Sequence, residues 1–459
     1  MEKVKKIFGL LATLVLVVVL GYLGLCSLYN FDLSWDYLSY HLPHILHILG
    51  KTTFTEAAKL VEVNKGFPPL THYLQALLLK LTGKFSATNL INYLSIIGLL
   101  SYLRFRQGVK GFPFLISSFL VLSVPMVFIQ MTHSYVDLWA NTLLTLLFAE
   151  AVLTEEKNQS LSLRSVSVFV FLFALAIFSR YQMWPAALIV CAFFLFKRKD
   201  ALLKAPKKFF LLLLLLASIF CFWPLRNIYK FNNPVYPLQS PVFKSYFNNV
   251  RMDPKSHLHV PAYIKPYPGV FKFLASAFEI SRFLTAEPFS WSIDQGHPKG
   301  VDSPHHRMGG WSIYTMILLV LLVIIVYSNI KEKMNYFFIL ILLTSFFPQS
   351  HELRYWLYLP LIASLFIGIG FMGNEKIKSS LALFLLVVIV NFSYVFYELF
   401  PKLVRQPIEM YAPKEAEDFW LEASKNSVDK EYMICKMPYT LFFAGKNFNQ
   451  FKVTECPID

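Results

Sequence analysis

The segment Phe31-Asp32-Leu33-Ser34-Trp35-Asp36-Tyr37-Leu38-Ser39-Tyr40-His41-Leu42-Pro43 sets two carboxylates among aromatic rings, directly after a long apolar run. A helix over 36–49 would put Asp36, Tyr40 and Pro43 on one face, with His44 and His47 a turn further on. A carboxylate in such surroundings suits general-base work, because apolar neighbours raise its pKa and a nearby cation lowers it again. The plainer reading has Asp32 and Asp36 capping an interfacial helix, with Trp35 and Tyr37 in an aromatic belt. A second acid, Asp137, closes Gln130-Met131-Thr132-His133-Ser134-Tyr135-Val136-Asp137 between two apolar runs. Helix capping alone would account for it, yet His133 lies four residues before it, and a carboxylate at a membrane face is costly without a role. Arg180, Arg226 and Arg354 each stand at the end of an apolar run, the last within His351-Glu352-Leu353-Arg354-Tyr355. Guanidinium groups match phosphate in bidentate fashion. Snorkelling, or a structural Glu352–Arg354 pair, would explain any one of them alone.

The elements that hold these residues are spanning helices. Of the 459 residues, 56% are hydrophobic and only 15% charged, and the mean hydropathy is +0.50. A soluble chain of that size needs more charge to cover its surface, whereas lipid accepts an apolar exterior. The net charge of +15 therefore reads as basic anchoring loops and attraction to anionic head groups rather than nucleic-acid binding. At roughly 20 residues per crossing, about eleven spans fit near 7–28, 88–103, 111–130, 136–153, 165–179, 183–196, 208–224, 311–329, 335–348, 353–372 and 379–397. The first has a signal-like basic start, but its run is long and no small-x-small cleavage site follows, so it reads as a retained helix. With the N-terminus inside, the inner loops 104–110, 154–164, 197–207, 330–334 and 373–378 collect the lysines and arginines, five of them within 197–207. This positive-inside pattern leaves three large segments outside: 29–87, 225–310 and 398–459.

Within the first outer loop, 70–82 is apolar but too short to span, which predicts a helix lying at the interface. The Asp294–His306 stretch of the second loop has no closed zinc spacing, and no phosphate-binding glycine loop or nucleophile elbow is present. Cys435 and Cys456 in the 398–459 tail could pair or stay free.

Trp35-Asp36-Tyr37-Leu38-Ser39-Tyr40-His41-Leu42-Pro43 resembles the first-loop motif of the GT-C superfamily of membrane glycosyltransferases, relatives of the protein O-mannosyltransferases and the lipid A aminoarabinose transferase. Later pieces follow in the family's order. Gly66-Phe67-Pro68-Pro69 resembles its Tyr-Pro-Pro turn, and Asp137 falls where a second-loop acid is expected. Leu225-Arg226-Asn227 with Asn233-Pro234-Val235-Tyr236-Pro237 is similar to its Arg-Asn…Asn-Pro-Phe-Tyr-Pro segment, and Arg354-Tyr355 to its late Arg-Tyr motif. The likeness runs over about 7–400.

The resemblance implies an all-α polytopic fold, with residues 1–397 as the membrane domain; 398–459, which the likeness does not cover, reads from the topology as a small outer tail or subdomain. It implies transfer of a sugar from a polyprenyl-phosphate donor to an extracytoplasmic acceptor (lipid, glycan or protein) at a bacterial inner membrane. Asp36 would be the base, with Asp32 as its alternative. Asp137 would be a second acid. Arg180, Arg226 and Arg354 would hold the phosphate, with Tyr40, His41, His133, Glu352 and Tyr355 lining the substrate. Asp137 lacks an adjacent acid, which leaves a divalent metal an open question. The competing readings are a flippase or transporter for a lipid-linked glycan, which would want charges deep within the spans, and a ligase that joins a preassembled glycan.

Overall fold

Runs of apolar residues long enough to cross a bilayer fold as helices, because only a helix bonds every backbone group within its own segment. The computed structural model describes residues 2–32, 34, 36–37, 41–50, 65–154, 162–237, 264–284, 291, 308–347, 349–372, 375–403, 431–434 and 452–455. Among the described residues, five helices have the length and composition to span: Glu2–Tyr29, Pro206–Phe231, Ile313–Ser345, Leu353–Met372 and Leu381–Pro401. Gly111–Leu122, Leu163–Ser179 and Met183–Lys197 are shorter and apolar. The Leu353–Met372 helix is 89% buried, against 17% for Pro206–Phe231. The first is therefore the centre of the bundle, and the second turns its leucines (Leu211, Leu214, Leu215) outward, where lipid would lie. Gly370 lets the central helix approach its neighbour, since a Cβ there would stand 2.5 Å from Val326 Cβ.

Ile313–Ser345 is two helices. Ile330 breaks the helical backbone at φ −134° and ψ 19°. The rings of Tyr327 and Phe338 lie 6.3 Å apart, whereas eleven residues of straight helix would separate them by about 16 Å. Its two ends also return to one short helix, Gly269–Ala277. Gly309 N–H donates to Ser276 Oγ at 2.8 Å, and a Cβ on Gly269 would meet the Ser345 carbonyl at 3.0 Å. This agrees with the expected pair of spans 311–329 and 335–348, with Lys331 and Lys333 at the turn.

Polar contacts gather in two layers at opposite ends of the helices. At one end Lys5 donates to the Ser379 carbonyl (3.2 Å), Arg106 pairs with buried Glu150 (2.6 Å), and Asn329 donates to the Gly370 carbonyl (3.0 Å). At the other end Ser27 bonds the Met131 carbonyl (2.7 Å), Ser276 that of His351 (2.6 Å), and Trp311 that of Leu353 (3.2 Å). Arg104, Arg106, Arg198 and Lys331 thus lie at the Lys5 end, and the acids singled out from sequence lie at the other.

Some boundaries differ from expectation. The run 111–130 is interrupted after Leu122, because Pro125 opens a new short helix and cannot donate to the preceding turn. The helix expected to stop at 224 continues through Pro224 to Phe231, where Asn232 takes a left-handed cap at φ 53°. Arg226 is therefore a helical residue rather than the start of a loop. A helix forms over Leu70–Thr82 and ends at left-handed Gly83.

The segment that follows the Pro206–Phe231 helix is tied to the bundle by Glu279. Its buried carboxylate accepts from Trp291 Nε1 (2.8 Å) and from the backbone N–H groups of Gly310, Ser312 and Ile313 (3.1, 3.1 and 3.3 Å). Burial pushes the Glu279 pKa up, and these donors pull it partly back. In the tail, Glu431–Ile434 and Lys452–Glu455 pair as parallel strands, the only strands among the described residues. Cys435, Cys456 and the Asp294–His306 stretch lie outside the described residues.

Candidate active site

The segment after the Glu2–Tyr29 helix returns against the bundle through Asp32. Its Oδ1 accepts from Ser34 N–H (2.9 Å), forming a local turn, and its Oδ2 from Ser134 N–H (2.7 Å). Ser134 is a junction: its hydroxyl meets Thr88 (2.6 Å) and Asn89 (2.5 Å), and its carbonyl accepts from Gln75 (2.7 Å). Asn92 holds the same stretch through the carbonyls of His133 (2.8 Å) and Tyr135 (2.5 Å). Asp32 is 1% exposed and both its oxygens are engaged by backbone. Those bonds tie the segment to the bundle.

Four residues further on, Asp36 Oδ2 meets Arg354 Nη1 at 3.1 Å, across 318 positions of sequence. Arg354 also donates through Nη2 to the Tyr355 hydroxyl (2.9 Å), and Glu352 Oε2 stands 4.0 Å from its Nε. Its guanidinium lies 5.4 Å from the Tyr135 ring and 4.9 Å from the Tyr355 ring. A second pair joins directly: Asp137, at the start of the Asp137–Phe148 helix, is in ion-pair contact with Arg180. Arg180 donates through Nε to Gln182 (2.9 Å), and its guanidinium rests 4.8 Å from the same Tyr355 ring. Two acid–arginine pairs thus share one aromatic ring, which attracts both cations and offsets part of their repulsion.

Behind Asp36 lies a knot of imidazoles. His41 Nδ1 and His72 Nε2 are 2.8 Å apart, so one donates and the other accepts. The His44 ring stands edge-on to His72 at 4.8 Å. Burial pushes the His41 pKa down to about 3, with the Asp36 charge pulling it up and Arg180 pushing it further down. Burial likewise lowers His44 to about 4 and holds His72 well below the usual range. All three are therefore neutral at neutral pH, His41 and His72 sharing a hydrogen bond and His44 contributing a ring contact. No group of three His, Cys, Asp or Glu side chains stands in metal-holding geometry among the described residues.

Of the residues singled out from sequence, Asp36, Asp137, Arg180, Glu352, Arg354 and Tyr355 come together, with His41 beside them. His133 Nδ1 donates to the Ile129 carbonyl at 2.7 Å. Tyr40 lies outside the described residues. Arg226 goes to a separate feature. Its Nη1 donates to the Lys65 carbonyl (2.7 Å), and its guanidinium stacks on Trp223 at 4.4 Å. Beside it, the Gly66 carbonyl accepts three bonds, from Tyr181 Oη, Trp223 Nε1 and Asn227 Nδ2 (2.7, 2.7 and 2.8 Å). The Gly66 turn and the Arg226–Asn227 segment are two halves of one clamp that returns the first loop to the bundle.

Tyr135, His72, Tyr181 and Asn227 were not separated out by sequence. Tyr135, Tyr181 and Asn227 each neighbour a residue that was, and His72 is an ionisable group on an apolar helix, which was the available signal.

With this geometry in hand, comparison with solved structures is informative. Two crystal structures of ArnT from Cupriavidus metallidurans align along almost the whole chain. The structure bound to undecaprenyl phosphate gives a TM-score of 0.57 at 12% identity, covering 97% of this chain and 85% of that one. The apo structure gives 0.55 at 11% identity, covering 96% and 85%. The chain shares the fold of ArnT. At that identity the likeness is one of architecture, an aminoarabinose transferase of the GT-C type being the protein compared. No family model and no curated protein sequence matches the chain.

Proposed function

We propose that this chain is a membrane glycosyltransferase that takes a sugar from a polyprenyl-phosphate donor and transfers it to an acceptor hydroxyl outside the cytoplasm. The observation that carries the reading is the meeting of Asp36 and Arg354 at 3.1 Å beside the Asp137–Arg180 pair. A carboxylate that can take a proton adjoins guanidiniums that can receive a phosphate, at the bundle end away from the basic loops. An ArnT of the same fold has been crystallised with undecaprenyl phosphate, which supports a donor of that class. The positive-inside rule puts the Lys5 end in the cytoplasm and the site outside, in a bacterial inner membrane.

In this reading the donor's tail lies in lipid and its phosphate against Arg354 and Arg180. Asp36 removes the proton from the acceptor hydroxyl as its oxygen bonds the anomeric carbon. The bond from that carbon to the phosphate oxygen breaks, and polyprenyl phosphate leaves with one more negative charge than the diester had. Fixed cations at that oxygen lower the barrier because they bind the developing charge more strongly than the ground state. Arg226 is then a residue of the loop clamp, within reach of a phosphate only if the donor extends to it.

The test is Asp36→Asn. Transfer, read by mass spectrometry of surface glycans and by product formation in vesicles, should fall by about 10²–10⁴-fold, while expression and membrane insertion are kept. Full activity would refute the base assignment. Translocation of a lipid-linked glycan with no new glycosidic bond would replace this reading with a flippase.

A further inference from the structure

Resting on that donor reading, we propose that Arg354 changes partners during the cycle: its bond to Asp36 gives way to the donor phosphate, so the base is freed from this guanidinium only once the donor is bound.

All three nitrogens of Arg354 already face protein groups: Nη1 Asp36, Nη2 the Tyr355 hydroxyl, and Nε Glu352. An arriving phosphate must therefore replace one of them. Exposure decides which. Asp36 and Arg354 are 15% and 14% exposed in their side chains, so their bond is reachable from outside. Glu352 is 1% exposed and closed behind the guanidinium, and the Tyr355 ring is covered. The neighbouring pair differs at the same point: Arg180 is 16% exposed but Asp137 only 1%, so its carboxylate has no open side to leave by. Asp36 is the exchangeable carboxylate, and Asp137 stays with its arginine.

Of the carboxylates beside the two arginines, the one on the open side is the least costly to move. Paired with a guanidinium, a carboxylate is a weak base; set beside a bound phosphate anion, it is a stronger one. The donor would thus both occupy the site and switch on its base, which imposes an order of donor first and acceptor second. It would also keep the free enzyme from activating water or a stray hydroxyl.

The experiment is binding of undecaprenyl phosphate to the purified full chain in detergent micelles. Wild type, Arg354→Gln, Asp36→Asn and the double variant are compared, each with a thermal unfolding curve, and Arg354→Lys stands in if Arg354→Gln does not fold. Removing the competitor should make Asp36→Asn bind about three- to tenfold tighter than wild type. That gain should vanish on the Arg354→Gln background, because it acts through Arg354. A gain of the same size on both backgrounds, or none on either, overturns the exchange and leaves the donor reading standing. No binding to wild type at any lipid concentration overturns both.

Discussion

Gly66→Ala should undock the first outer loop with no change to any charged residue. A Cβ on Gly66 would stand 2.3 Å from the Tyr236 carbonyl oxygen, 2.5 Å from Tyr236 Cδ1 and 2.7 Å from its carbonyl carbon. Two of those atoms are backbone and cannot swing aside as a flexible side chain would. Overpacking of this kind costs about 1–3 kcal/mol, and a rigid neighbour places it near the upper end. Relief requires the turn to lift, which stretches the three hydrogen bonds accepted by the Gly66 carbonyl, each worth about 0.5–1.5 kcal/mol. Those bonds are given up on opening in wild type too, so the strain of about 3 kcal/mol is what favours local opening in the variant, by roughly 10²-fold. Hydrogen exchange of amides 66–73, read by mass spectrometry, checks it, with limited proteolysis after Lys65 as a second measure. Exchange at the bundle centre, residues 357–371, should stay unchanged. Wild-type protection of 66–73 in the variant would refute the clamp as the device that holds this loop.

Three further outcomes follow from the same geometry, beside the loss of transfer in Asp36→Asn. Asp32→Ala removes two hydrogen bonds to a carboxylate, each worth about 1.5–3 kcal/mol; it should lower the thermal unfolding midpoint, whereas Asp36→Asn leaves that midpoint near wild type, and equal midpoints for the two would argue against separate roles. The first-loop histidines are folded neutral, with His41 at about 3 and His44 at about 4 against 6.5 unperturbed. An unfolded chain binds protons that the folded one refuses, so stability is complete above about pH 6.5 and falls as pH drops towards those values. Thermal unfolding from pH 7.5 to 5 should show this loss, and His44→Phe should reduce it; identical profiles would count against the buried cluster. Single cysteines at Lys333 and Lys230 should react with a membrane-impermeant reagent from opposite sides, Lys333→Cys only after the cytoplasmic side is opened; labelling of both from one side would overturn the orientation.

Membrane insertion, the all-α class, a helix over 70–82 and the gathering of basic loops at one end were legible in the chain itself. Each depends on local composition: apolar length sets what can cross lipid, and basic residues beside a span set its sidedness. The types of residue at the site were legible as well, since acids and arginines at the edges of apolar runs stand out against a background poor in charge. Their pairing was not. Asp32 and Asp36 are equivalent by sequence, and only the fold gives one to backbone N–H groups and the other to an arginine 318 residues away. Arg226 looked like its fellow arginines until the helix continued past Pro224 and turned it to the Gly66 clamp. Hydropathy acts residue by residue and survives in any reading of the sequence. Which carboxylate meets which cation depends on how helices distant in the chain pack, and that is settled only in three dimensions.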